Sequence, residues 1–115
     1  MSASAELAFE RAGQAIVARL AGEVDMTNAE YVRDEITSAV PNDAHALVVE
    51  LADTRYLDSA AIEVLFELSR RLGRRRQQLR LVVPADSPLR RVLTLTDLGA
   101  VAPMHHSLAE ALDAA

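Results

Sequence analysis

Cysteine is absent from the 115 residues. That excludes disulfides, thiolate metal sites and a thiol nucleophile, and it fits a reducing compartment. Lysine is absent as well, since all twelve basic residues are arginine. Schiff-base chemistry and any mechanism needing a catalytic ammonium fall with it. The arginine bias, with abundant alanine, points to a GC-rich bacterial genome. Positive charge is outweighed, giving a net charge of -5, which argues against a general nucleic-acid binder. Residues 1–10 lack the basic start and apolar run of a signal peptide. No apolar run approaches a membrane span, so a soluble, cytoplasmic protein without membrane insertion is expected.

What is present is one domain's worth of chain, 1–115, with half of its residues hydrophobic. Leu7 and Phe9 alternate with polar neighbours and suggest a short strand. Ala12-Gly13 supplies a turn, and Ile16, Ala18 and Leu20 share one face of a second strand ending near Gly22. The short connection favours an antiparallel hairpin. Thr27-Asn28-Ala29-Glu30 reads as a capping box. Ala29, Val32, Ile36 and Val40 follow at helical spacing, and Pro41 lies just past them. Ala46 to Leu51 is a nearly continuous apolar run suited to a central strand buried on both faces.

A loop over Ala52 to Leu57 then leads to Asp58-Ser59 and a second helix ending near Gly73. Arg74-Arg75-Arg76 reads as a solvated turn beyond it. Leu79 to Val83 forms the next strand, stopped by Pro84. Ser87-Pro88 opens a third helix that carries Leu89, Val92 and Leu93 and ends by Gly99. Val101 to Met104 suits a short edge strand, because Pro103 fits a central one poorly. Ser107 to Glu110 is another capping box, opening a last helix with Leu108 and Leu112. The order is β-β-α-β-α-β-α-β-α. It implies an α/β domain with a mixed sheet and crossover helices.

The second helix carries the strongest functional signal. At 100° per residue, Ala61, Val64, Leu65, Leu68 and Leu72 fall on one side as a core stripe. Ser59, Ile62, Glu63, Phe66 and Arg70 fall on the other. Ile62 and Phe66, one turn apart and in line with a serine at the helix start, suit either packing against a neighbouring element or a partner-docking patch. Asp58 alone can serve as the cap, which leaves the Ser59 hydroxyl free. A phosphate there would lie at the positive end of the helix dipole and add charge beside the patch.

Two enzyme classes fail on composition. A receiver domain built on Asp53 needs a later lysine, and there is none. A serine hydrolase needs a Gly-x-Ser-x-Gly elbow, which Ser59 lacks. His45 and the pair His105-His106 make a poor metal motif and read as surface or capping residues. The chain is read as a non-enzyme.

Leu57-Asp58-Ser59, placed after a buried strand and before an amphipathic helix, resembles the signature of STAS domains. Gly22-Glu23-Val24-Asp25 is similar to their Gly-Glu-x-Asp stretch. Pro88 to Leu93, with Leu98-Gly99, looks like their later Pro…Leu…Leu-Gly segment. The similarity spans about the whole chain and is closest to bacterial anti-sigma factor antagonists. It implies a single STAS-type domain with no cofactor. It further implies that Ser59 is the phosphoacceptor, with Asp58 and Asp25 near it. The implied partner is an anti-sigma factor that is also a serine kinase of the GHKL type, opposed by a phosphatase. The unphosphorylated form binds that partner and frees the sigma factor; phosphorylation ends the binding. Ile62, Glu63, Phe66 and Arg70 are the expected partner-binding residues.

Two departures from the family pattern stand out. Ala60-Ala61 stand where Ser/Thr-Gly is usual, and Glu63 stands where Gly is frequent. They keep a second STAS role open: a phosphorylation-independent adaptor, such as the cytoplasmic STAS subunit of a lipid-transport ABC system or a component of a stress-sensing scaffold.

Overall fold

The hairpin that starts the fold is set by a two-residue turn. In the computed structural model, which describes residues 4–114, β1 (Ala5–Ala12) pairs antiparallel with β2 (Ala15–Val24), and Ala12 faces Ala15 across Gly13-Gln14. Gly13 has φ +62, the positive value a type II′ turn requires at its first central residue. The rest follows as α1 (Ala29–Ala39), β3 (Ala46–Glu50), β4 (Thr54–Leu57), α2 (Ser59–Arg74), β5 (Gln78–Val82), α3 (Leu89–Thr94), β6 (Met104–His105) and α4 (Leu108–Asp113). The single domain expected over 1–115 includes residues 1–3 and 115, which lie outside the described residues.

The sheet runs β1-β2-β3-β5-β6, with every pairing after the hairpin parallel. It is the mixed α/β sheet the pattern implies. β3 lies at its centre, and Leu47, Val48 and Val49 are fully buried. One face, with Ile16, Ala18, Leu20, Leu47, Val49, Leu79 and Leu81, packs under α1, α2 and α3. The other, with Ala15, Val17, Ala46, Val48 and Val82, is covered in part by α4 through Ala111, Leu108 and Leu112. The first half of β2 is therefore buried on both faces, although only Ile16, Ala18 and Leu20 stand out in the alternation.

The expected loop over Ala52 to Leu57 contains the additional short strand β4. It pairs with the far end of β2 across a bulge at Gly22/Glu23, so β2 is shared between β3 and β4 along its length. The Thr54 hydroxyl, buried, donates to the Leu20 carbonyl (2.5 Å) and fixes this strand. Gly22 is required at the bulge. Its φ is +101, and an added Cβ would lie 2.2 Å from the Ser4 carbonyl oxygen.

The helix ends differ from the expected ones in instructive ways. The Thr27 capping box does not form: α1 starts at Ala29. The Thr27 hydroxyl and backbone N–H both donate to Asp25 Oδ1 instead (2.5 and 2.8 Å). A local side-chain turn has outcompeted the helix cap. The last box half forms, with the Glu110 N–H donating to Ser107 Oγ (3.2 Å) while the Glu110 carboxylate takes the His106 N–H rather than that of Ser107. α3 ends at Thr94 rather than near Gly99. A separate 3-10 turn, Asp97–Ala100, follows, started by Thr96, whose hydroxyl accepts the Leu98 N–H (3.2 Å). The edge strand begins at Met104, just after Pro103.

Candidate functional site

The parallel strands β2 and β4 end side by side, with Val24 opposite Leu57. The next residues, Asp25 and Asp58, therefore emerge together at the carboxyl end of the sheet. Asp58 has an extended backbone and joins the two chains: its N–H donates to the Val24 carbonyl (3.1 Å). Its carboxylate then does two things. Oδ1 accepts the Ala61 N–H (3.0 Å), capping α2, and Oδ2 accepts the Met26 N–H (3.1 Å) from the loop before α1. The start of α2 is thus tied to the Asp25–Asn28 loop through one side chain. That loop is also hydrogen-bonded within itself. Asn28 Oδ1 accepts the Asp25 N–H (3.0 Å), and Asn28 Nδ2 donates to the Glu23 carbonyl (3.0 Å). The two hydrogen bonds from Thr27 hold the Asp25 carboxyl below the ordinary carboxylate range, the hydroxyl contributing most.

With Asp58 in the cap, Ser59 is exposed as the first residue of α2. Below it the helix divides as its periodicity predicts. Ala61, Val64, Leu65, Leu68 and Leu72 are buried. On the outer side Glu63 and Arg70 are exposed, whereas Ile62 and Phe66 are half-buried and pack against the core cluster. Packing against a neighbouring element and a partner-docking patch are the two expectations for Ile62 and Phe66; both side chains are half-buried, so each keeps an exposed part. α1 flanks the helix on one side, with Arg33 3.8 Å from Glu67. On the other, the Ser69 hydroxyl donates to the Val101 carbonyl (3.0 Å).

Met26 adds to this region and carries no sequence signal. It is 79% exposed, although its backbone is held by Asp58. A methionine in a loop has no periodicity to betray its place. Only its position directly after the Gly-Glu-Val-Asp stretch hints at it.

The family model for the STAS domain matches residues 6–111. The chain belongs to the STAS domain family. This STAS domain is similar to an anti-sigma factor antagonist from Mycobacterium paratuberculosis. The two are 27% identical, cover 95% of this chain and 92% of the other, and superpose with a TM-score of 0.83. The Bacillus cell fate determinant SpoIIAA in its phosphorylated form shares the fold at 22% identity, over 94% and 97% of the two chains, with a TM-score of 0.66. The unphosphorylated anti-sigma factor antagonist SpoIIAA does so at 20% identity, over 91% and 92%, with a TM-score of 0.68. No curated relative matches the chain.

The histidines do not converge in this STAS domain. His45 and His106 are exposed, while His105 lies in β6 with its side chain 16% exposed and Nδ1 3.9 Å from Glu110. Among the described residues no cluster of three or more His, Asp or Glu is arranged to hold a metal ion. No described helix is long and apolar enough to cross a membrane.

Proposed function

We propose that this STAS domain is an anti-sigma factor antagonist that works by partner switching. The unphosphorylated form docks an anti-sigma factor of the GHKL serine-kinase type through Ser59, Met26 and the open flanks of Ile62 and Phe66, with Glu63 and Arg70 at the margin. That docking frees the sigma factor. Phosphorylation of Ser59 ends it, and a phosphatase restores the binding form in the cytoplasm. One observation carries this reading: Asp58 takes the helix cap, so the adjacent serine is exposed beside an apolar patch. A phosphate there adds about -1.5 to -2 charges. It would sit near the positive end of α2, which tolerates it, and among Asp25, Asp58 and Glu63, which make the face more anionic still. The 27% identical neighbour, itself an anti-sigma factor antagonist, supports the assignment.

Intact-mass measurement after incubation with the cognate anti-sigma kinase and ATP tests the switch. One added phosphate is expected, lost in Ser59→Ala. An unmodified protein, with the kinase active on another antagonist, overturns it. Ser59→Asp should lower partner affinity without lowering the thermal midpoint.

The exposed carboxylate of Glu63 favours a second reading, because it already charges the face without modification. In that reading the domain is a phosphorylation-independent adaptor, as in a lipid-transport ABC system or a stress-sensing scaffold. Co-purification of an ABC ATPase or permease, rather than a GHKL kinase, would decide for it.

A further inference from the structure

The second face of the sheet carries two arginines in contrasting states. Arg19, on β2, lies between Glu10 (2.5 Å) and Glu50 (3.4 Å), and the Glu10 carboxylate chiefly raises its pKa. Arg80, on β5 beside Val48, is half-buried, and among the described residues no carboxylate lies within ion-pair distance of it. Its Nε donates to Gln78 Oε1 (2.8 Å) and its Nη1 to the Ala111 carbonyl (3.0 Å). Both acceptors are neutral, and a guanidinium has five N–H donors. Part of its role is to complement the carboxyl end of α4. Among the described residues, that leaves a partly desolvated cation without a counter-charge, an arrangement that an incoming anion improves.

Arg80 borders a cavity of about 500 Å³ between the β1–β2 turn, the start of β3 and the end of α4. The volume falls within the roughly 300–1,000 Å³ typical of small-molecule sites. Its walls divide by chemistry. Ala12, Ala46 and Leu112 are apolar, Gln14, His45 and Arg80 carry side-chain donors, and among the described residues no carboxylate side chain lines it. In a chain of net charge -5 that is an unusual concavity. It also lies at the amino ends of the parallel strands, opposite Ser59, so it is separate from the docking face.

We propose that this cavity binds a small organic carboxylate with a short apolar chain. Arg80 takes the carboxylate, and the alanine and leucine wall takes the chain. Titration of the 15N-labelled protein with octanoate tests it. Saturable amide shifts are expected at Gln14, Ala46 and Leu112, and octylamine, which reverses the charge, should give none. Arg80→Gln should weaken binding at least about tenfold, the loss expected of a charge-assisted bond. Because Arg80 also holds α4, Ala12→Leu is the second variant. It narrows the cavity from the hairpin, keeps the Arg80 bonds, and should weaken octanoate to a similar degree with the thermal midpoint retained. Absence of saturation up to the solubility limit, equal binding of octylamine, or unchanged affinity in Ala12→Leu overturns the site. Equal binding of inorganic phosphate overturns its apolar half.

Discussion

At its N-terminus α2 closes on a side chain, and at its C-terminus it closes on backbone. Both ends face the same difficulty, a set of main-chain groups without helical partners. At the start, the Asp58 carboxylate accepts from Ala61 and also from Met26, so the cap doubles as a strap to the neighbouring loop. At the end, Arg75 is the last half-helical residue, and the Gln77 N–H donates to the Leu72 carbonyl (2.8 Å) and the Arg76 N–H to that of Gly73 (3.1 Å). That pair of bonds is a Schellman motif, and it forces the residue between, Arg76, into the left-handed region at φ +59. Gln77 then locks the turn from the side, its Nε2 donating to the carbonyls of Pro41 (2.9 Å) and Ala44 (2.8 Å). The start of the helix is held by one carboxylate side chain; the far end is held by a distributed set of neutral bonds.

That contrast can be broken most severely at the far end. Gln77 is only 5% exposed, so Gln77→Ala leaves the buried bond to the Ala44 carbonyl and the part-buried bond to the Pro41 carbonyl unmade. The expected cost is about 2–3 kcal/mol, read by denaturant unfolding. A cost below that of an ordinary surface change would mean water replaces the amide. At the near end, Asp58→Ala should cost about 1–2 kcal/mol through the lost cap. Asp58→Asn, which keeps one acceptor oxygen, should cost about half as much. If Asn and Ala behave alike, the strap to Met26 rather than the cap carries the stability.

The same contrast explains what was legible in the sequence. The Asp58 cap and the core stripe of α2 were readable because each depends on residues within a turn or two. β3 was readable because burial on both faces leaves an unbroken apolar run. The end of α2 was readable to within one residue, near Gly73, but the residue that takes the left-handed turn was not. Gly73 is helical, with nothing near its Cβ position, and Arg76 takes the left-handed place. β4 was missed because its partner, the end of β2, lies more than thirty residues earlier and the register shifts between Gly22 and Glu23. The burial of Ala15 and Val17 on the second face depends on α4, almost the whole chain later. Thr27 was misread because a hydroxyl has two local options, and the Asp25 carboxylate is the stronger acceptor. In the site, Ser59 and its acidic neighbours stood out by motif, whereas Met26 had none.

Gly73 and Arg76 stand in each other's conformations, which yields a gain rather than a loss. Gly73→Ala should raise stability by about 0.5–1 kcal/mol, because a helical glycine carries an entropic penalty and the space is open. Arg76→Gly should raise it by a similar amount, about 0.5–1 kcal/mol, by relieving the left-handed arginine. A thermal midpoint that rises in both variants confirms that this end is held by backbone geometry. A fall in Arg76→Gly would show that the arginine side chain contributes instead.

The smallest effect belongs to the loop strapped to Asp58. The Asp25 carboxyl is held low mainly by the Thr27 hydroxyl, then by the Thr27 backbone N–H. A carboxyl lowered in the folded state contributes stability above its unfolded pKa, about 3.9, and loses it as pH falls through the folded value. Thr27→Val removes the larger donor and keeps the smaller. The Asp25 pKa should therefore rise part of the way to its ordinary value, as followed by carboxyl-carbon NMR, and the variant should lose less of this contribution on acidification. Because the Met26 N–H that reaches Asp58 comes from the same loop, the variant also tests the strap. Unchanged Ala61 and Met26 amide shifts would mean that the Asp58 bonds hold without the Thr27 hydroxyl, and the start of α2 would then owe its geometry to Asp58 rather than to the loop that faces it.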